Sequence, residues 1–125
     1  MSIRVSQALI TGIKIIAEFR RARDIKSYLR NPKLKSVLKQ LNIFISFNFG
    51  WTIEGALGYS KRIEATYLSP IVDECIVLTK IGETLNSPII MSSEFYCLLT
   101  NKSKEFIREI GLFKWTGLKT PKVLY

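Results

Sequence analysis

Cys75 and Cys97 are the only thiols in this 125-residue sequence, and it contains no histidine. Zinc sites and activated cysteine nucleophiles commonly set a histidine beside the thiolate, so the chain has no metal or nucleophile site of that kind. In a reducing compartment each cysteine is expected to act as a small buried hydrophobe. Their spacing gives no support to a regulatory disulfide. Glu54 and Glu64 are placed to attract attention as a general acid and base. On neighbouring strands they read instead as surface or turn carboxylates balanced by Lys61 and Arg62. Gly55-x-x-Gly58 is no phosphate loop, because the lysine and helix start that should follow are missing. Trp51 and Trp115 are expected in core or edge packing rather than as base-stacking platforms. No metal and no cofactor is implied.

Charge is the next source of chemistry. The net charge of +9 is uneven: residues 1–40 carry ten Lys or Arg against Glu18 and Asp24, and residues 41–125 carry nine against eight. Arg20, Arg21, Arg23, Lys26, Lys33, Lys35 and Lys39 therefore form a basic helical segment with the capacity for weak polyanion binding. No aromatic side chains alternate with these charges, so a solvated helix face is the simpler reading.

The elements that must position these residues follow from periodicity. Hydrophobic residues make up 47% of the chain, enough for the core of one domain spanning 1–125. No segment is long and apolar enough to span a bilayer, and Met1-Ser2-Ile3-Arg4 does not open a secretory signal, so a cytoplasmic protein is expected. Val5, Leu9, Ile13, Ile16 and Phe19 recur at helical spacing, with Ile10 and Ile15 widening the stripe. Lys14–Glu18 and Arg20–Asp24 support that helix at i,i+4. It should run to Asn31-Pro32, with a short second helix around Leu34, Val37 and Leu38. Within 41–125 the period shortens. Ile43, Ile45, Phe47 and Phe49 mark one face of a strand, and Trp51–Leu57 continues as a second extended segment. Gly55 and Gly58 signal a bulge or close backbone approach. Ile63–Leu68 reads as a third strand after a polar turn, and Ser69-Pro70 as cap and first residue of a helix. Val72, Cys75, Ile76 and Leu78 should face the sheet. Ile89–Met91 forms a buried strand, Ser92 or Ser93 caps a helix through Leu99, and two strands close the chain around Gly117–Pro121. The class is α/β, a mixed sheet with helices packed on it.

Two of these segments resemble the catalytic domain of class III adenylate/guanylate cyclases in its protist form. Gly50-Trp51-Thr52-Ile53-Glu54-Gly55-Ala56-Leu57-Gly58 is similar to that family's G-W-A-I-E-G-A-I-G strand. Ile63-Glu64-Ala65-Thr66-Tyr67-Leu68-Ser69-Pro70 is similar to the I-D-A-S-Y-L-S-P that follows at the same spacing. The resemblance implies the C-terminal half of a ferredoxin-like cyclase palm, with a truncated sheet. It also implies that the half supplying two metal-binding aspartates is not in this chain. Where the family carries N-V-N-x-A-S-R, this chain has Ile71-Val72-Asp73-Glu74-Cys75-Ile76-Val77. Asp73 then stands at the ribose-orienting asparagine and Val77 at the arginine that meets the transition-state phosphate. Thr116 replaces the lysine of a V-K-G turn. Thr66, at the base-recognition position, alone keeps a suitable side chain.

A carboxylate repels a triphosphate, and valine offers no donor. An arginine acting on a transferring phosphoryl group is worth roughly 10³–10⁵ in rate. The expectation is therefore a pseudoenzyme, a cyclase-like half-domain in or derived from cyclic-nucleotide signalling, retained for protein association or self-association or left over from gene truncation. One alternative is a subunit that completes a composite cyclase site with a partner bringing the aspartates. Another is a basic module for nucleic acid or anionic lipid. A sheet stripped of its first strands should expose an edge and an apolar face.

Overall fold

Ser6, Leu9, Gly12 and Ile16 form the buried row of the first helix, α1 (Ser2–Arg21). The computed structural model describes residues 1–22, 28, 30–33, 42–59 and 62–125. The buried row departs from the expected stripe. Ile10, Ile13 and Ile15 are about half exposed, and small side chains take their place against the sheet. The cause is close approach: a Cβ on Gly12 would lie 2.7 Å from Cζ of Phe47, so the helix rolls to seat its glycine there. α1 also ends at Arg21, ten residues before Asn31. Ala22 leaves the helix with ψ 120° while its N–H still bonds the Phe19 carbonyl. The apolar row runs out at Phe19, and tertiary burial supplies most of a helix's stability, so the backbone gains little by continuing. The expected second helix around Leu34 falls outside the described residues.

The strands that follow are short. β1 (Ile45–Phe47) covers only the middle of the expected Ile43–Phe49 segment. Asn48 ends it, accepting the Phe49 N–H on its Oδ1 at 2.9 Å while its Nδ2 donates to Glu74. β2 (Ile53–Tyr59) and β3 (Arg62–Leu68) form an antiparallel hairpin from Ile53 opposite Leu68 to Tyr59 opposite Arg62. Gly58 shows the expected close approach, since a Cβ there would meet the Arg62 carbonyl. Gly55 does not, because the space beside it is open.

Helix α2 (Pro70–Thr84) starts as expected, with the Ser69 side chain accepting from the Ile71 N–H and proline in the first turn. Its inward face differs: Val72 and Ile76 are about half exposed, while Leu78 and Gly82 are buried. A polar contact sets the rotation. Ser46 on β1 donates to the Cys75 carbonyl at 3.0 Å and lies 2.8 Å from the Thr79 hydroxyl. Those two positions, with Leu78 and Gly82, must therefore face the sheet.

β4 (Ile89–Met91) pairs in parallel with β1, Ile45 opposite Ile89. Parallel neighbours need a long crossover, and the β2–β3 hairpin with α2 supplies it. Ser92 caps the short helix α3 (Ser93–Cys97), which stops before the expected Leu99. Thr100 caps α4 (Asn101–Lys104). β5 (Gly111–Phe113) and β6 (Lys122–Leu124) form the closing antiparallel pair. Met91 and Tyr125 exchange two backbone hydrogen bonds, and Ser92 bridges Leu124, so β6 joins β4.

Alternation along β4 divides the core. Met91 packs with Leu9, Phe95 and Leu99 on the α1 side, and Ile90 packs with Leu78 and Leu124 on the α2 side. The protein is thus a mixed α+β structure with small sheets and helices on both faces. No described helix is long and apolar enough to cross a membrane.

Candidate functional site

Asp73, Val77, Thr66 and Thr116, the four positions singled out in the sequence, lie on three different elements. Asp73 is exposed in the first turn of α2, and Val77, one turn on, is half-buried. Thr66 sits on β3 opposite Gly55 and is the only partly buried residue of that strand. Thr116 is exposed in the turn between β5 and β6. None of the four lines the groove between α1 and residues 100–110 or the hollow beside Met1, Arg4 and Phe95.

Glu54 and Glu64 are engaged on the hairpin surface. Glu54 accepts from the Tyr67 hydroxyl, its cross-strand partner, at 3.2 Å. Glu64 accepts from Arg62 Nε at 2.7 Å. Both are surface carboxylates as expected, but only Glu64 is balanced by Arg62, and Lys61 lies outside the described residues. Among the described residues, no three Cys, Asp or Glu side chains gather in a group fit to hold a metal ion.

A polar cluster that sequence reasoning missed joins the ends of several elements. Lys122 on β6 reaches Glu74 on α2 at 2.9 Å and Glu94 on α3 at 3.1 Å. Asn48 donates to the same Glu74 oxygen at 2.9 Å. Burial alone would lower the Lys122 ammonium, but its hydrogen bonds to Glu74 and Glu94 outweigh that and hold its pKa above the usual value. Burial alone would raise the Glu94 carboxyl, but its own backbone N–H and Lys122 overcome it and hold the pKa down. The two carboxylates and the ammonium satisfy one another, which is a clamp rather than reaction chemistry. No local signal could have found it, since Lys122 and Glu74 are 48 positions apart.

The cysteines are free, and only one matches expectation in part. Cys75 is half-buried, and burial pushes its thiol up, with Ser46 offsetting some of the effect. Cys97 is exposed at the end of α3 rather than buried. Trp115 packs against the Leu78–Ile90–Leu124 core, whereas Trp51 is 62% exposed, contrary to its reading as a packed aromatic.

Arg20 and Arg21 are exposed at the end of α1, and Lys33 is exposed beyond it. Arg23, Lys26, Lys35 and Lys39 lie outside the described residues. Of the two ion pairs expected on α1, Lys14–Glu18 does not form, and Asp24 lies outside the described residues. Glu18 instead stands 3.9 Å from Arg21, with both side chains more than 70% exposed. Such a pair contributes little.

The least buried element is the hairpin. Alternation puts Ile53, Leu57 and Tyr59 of β2 on one face with Thr66 and Leu68 of β3. Leu57 is 64% and Leu68 68% exposed, and every residue of β2 is exposed. Comparison with protein-family models, curated proteins and solved structures gives no match to this chain.

Proposed function

We propose that this chain is a cytoplasmic, non-catalytic association module, a cyclase-like half-domain whose β2–β3 hairpin pairs with another protein surface. One observation carries the reading: Ile53, Leu57 and Leu68 share a hairpin face that none of the described residues covers. A two-stranded hairpin is marginal in water without a third strand or a helix against it. Among the described residues no further strand pairs with its outer edges, and such edges offer backbone groups to another strand. The cyclase resemblance falls on this same hairpin and on the Ser69-Pro70 start of α2. Asp73, Val77 and Thr116 support the non-catalytic half of the reading, since none supplies a cationic donor for a transferring phosphoryl group. The two free thiols suit a reducing compartment.

Sedimentation velocity over a range of concentrations tests the association. The chain should form dimers or larger species. Leu57→Lys with Leu68→Lys should return it to a monomer with unchanged far-UV circular dichroism, because neither side chain is in a core. A folded wild-type chain that is monomeric at every concentration, and captures no partner through the hairpin, would overturn the proposal.

A further inference from the structure

A second apolar surface lies apart from the hairpin. α1 and the segment from Thr100 to Ile110 line an open groove of about 830 Å³, to which Leu85 and Ile89 also contribute. Small-molecule sites commonly measure ~300–1,000 Å³. The helix wall is the stripe that α1 turned away from the sheet. Ile3, Ile10 and Ile13 span ten residues, or about 15 Å at ~1.5 Å per residue. All three are about half exposed or more, and Phe106 opposite them is 83% exposed.

The polar lining is selective. Ser6, Thr100 and Ser103 hydroxyls bond one another, at 3.2 Å and 2.9 Å, and so make no demand on a ligand. The charged side chains of the lining are Lys102 and Arg108, and no aspartate or glutamate side chain lines the groove among the described residues. Neither cation takes part in a salt bridge among the described residues. A long apolar trough with unpaired cations on one wall complements a ligand with an extended hydrocarbon body and a single anionic end. Gln7 is the one amide side chain on the α1 wall, so that wall is mainly apolar and suits a hydrocarbon better than a base.

We infer that this groove binds one long-chain fatty acid, its hydrocarbon along Ile3, Ile10 and Ile13 and its carboxylate held by Lys102 or Arg108. The inference is independent of the hairpin's role, since the two surfaces share no residue.

The test is titration of the full chain into cis-parinaric acid, a fluorescent fatty acid, and into its neutral methyl ester. Saturable one-to-one binding is expected, with the acid preferred at least fivefold. Ile10→Glu should weaken binding of both at least tenfold, and Ile3→Glu, two turns away, should do the same if Ile10→Glu disturbs folding. Lys102→Glu with Arg108→Glu should abolish the preference for the acid and leave ester binding unchanged. Leu57→Lys with Leu68→Lys should leave all binding intact. Absence of saturable binding would overturn the inference, as would equal affinity for acid and ester in the wild-type chain. So would variants in the groove that change the sedimentation coefficient but not probe binding, for then a second copy of the chain occupies it.

Discussion

Lys122 Nζ lies 2.9 Å from Oε2 of Glu74, and this contact ties the last strand to the helix α2. Both side chains are only about one-fifth to one-quarter exposed, and Glu94 completes a three-charge cluster. Lys122→Met leaves two carboxylates partly desolvated without their cation. The cost should be about 1–3 kcal/mol, between the values for exposed and fully buried pairs. Urea denaturation of the variant beside the wild type measures it. An unchanged midpoint would show that solvent screens the cluster.

The same cluster sets a pH dependence. The Lys122 pKa is raised on folding, so its contribution is full below the free ammonium's value, about 10.4, and fades as pH rises through the folded-state value. The Glu94 pKa is lowered, so its contribution is full above the free carboxyl's value, about 4.3, and fades as pH falls through the folded-state value. Thermal unfolding followed from pH 3 to 11 should therefore show a loss at each end. In Lys122→Met both losses should shrink, and equal losses in the two proteins would place their origin elsewhere.

Gly12 offers a contest between propensity and packing. Alanine gains about 1 kcal/mol over glycine inside a helix. Here its methyl would stand 2.7 Å from Phe47 Cζ, and the Phe47 ring is held by stacking on Phe95 at 4.9 Å between centroids. Overpacking of this kind costs roughly 1–3 kcal/mol, so Gly12→Ala should destabilise by about 1 kcal/mol net. Phe47→Leu should be milder in the Gly12→Ala background than alone. A more stable Gly12→Ala would mean that α1 has room to retreat.

Ser69 anchors the hairpin to α2. Its hydroxyl donates to the Trp51 carbonyl and accepts from the Ile71 N–H at 3.1 Å. Removing an N-cap side chain costs about 1 kcal/mol. Ser69→Ala should lose that much, and amide hydrogen exchange should quicken in Ile53–Tyr59 and Arg62–Leu68 before it quickens in β4. Uniform acceleration across the chain would argue that the hairpin and the core open together.

The purified chain should make no cyclic AMP or cyclic GMP from ATP or GTP with magnesium or manganese. Asp73 presents a carboxylate where the resemblance places an amide, and Val77 and Thr116 offer no cationic donor. Metal-dependent product that disappears when Leu78→Asp disrupts the core would refute the non-catalytic reading.

Local chemistry was legible in the sequence wherever the deciding atoms are neighbours along the chain. Ser69-Pro70 announces the start of α2, and the hairpin, β4 and the closing strand pair sit close to where alternation places them. Those signals are backbone preferences and short-range hydrogen bonds, which a few consecutive residues satisfy by themselves. The rotation of each helix was not legible. Ile13 and Ile76 are as apolar as the residues that are buried, and what turned them outward was Gly12 meeting Phe47 and Ser46 bonding to the Cys75–Thr79 turn. The Lys122–Glu74–Glu94 cluster and the fatty-acid groove are likewise products of distant segments meeting. Periodicity identifies how many faces of a helix are apolar, but only tertiary contact decides which of them is buried and which is left for a ligand. The reason is physical: burial free energy depends on area removed from water, and several apolar faces offer nearly equal area until a small residue or a buried hydroxyl breaks the tie.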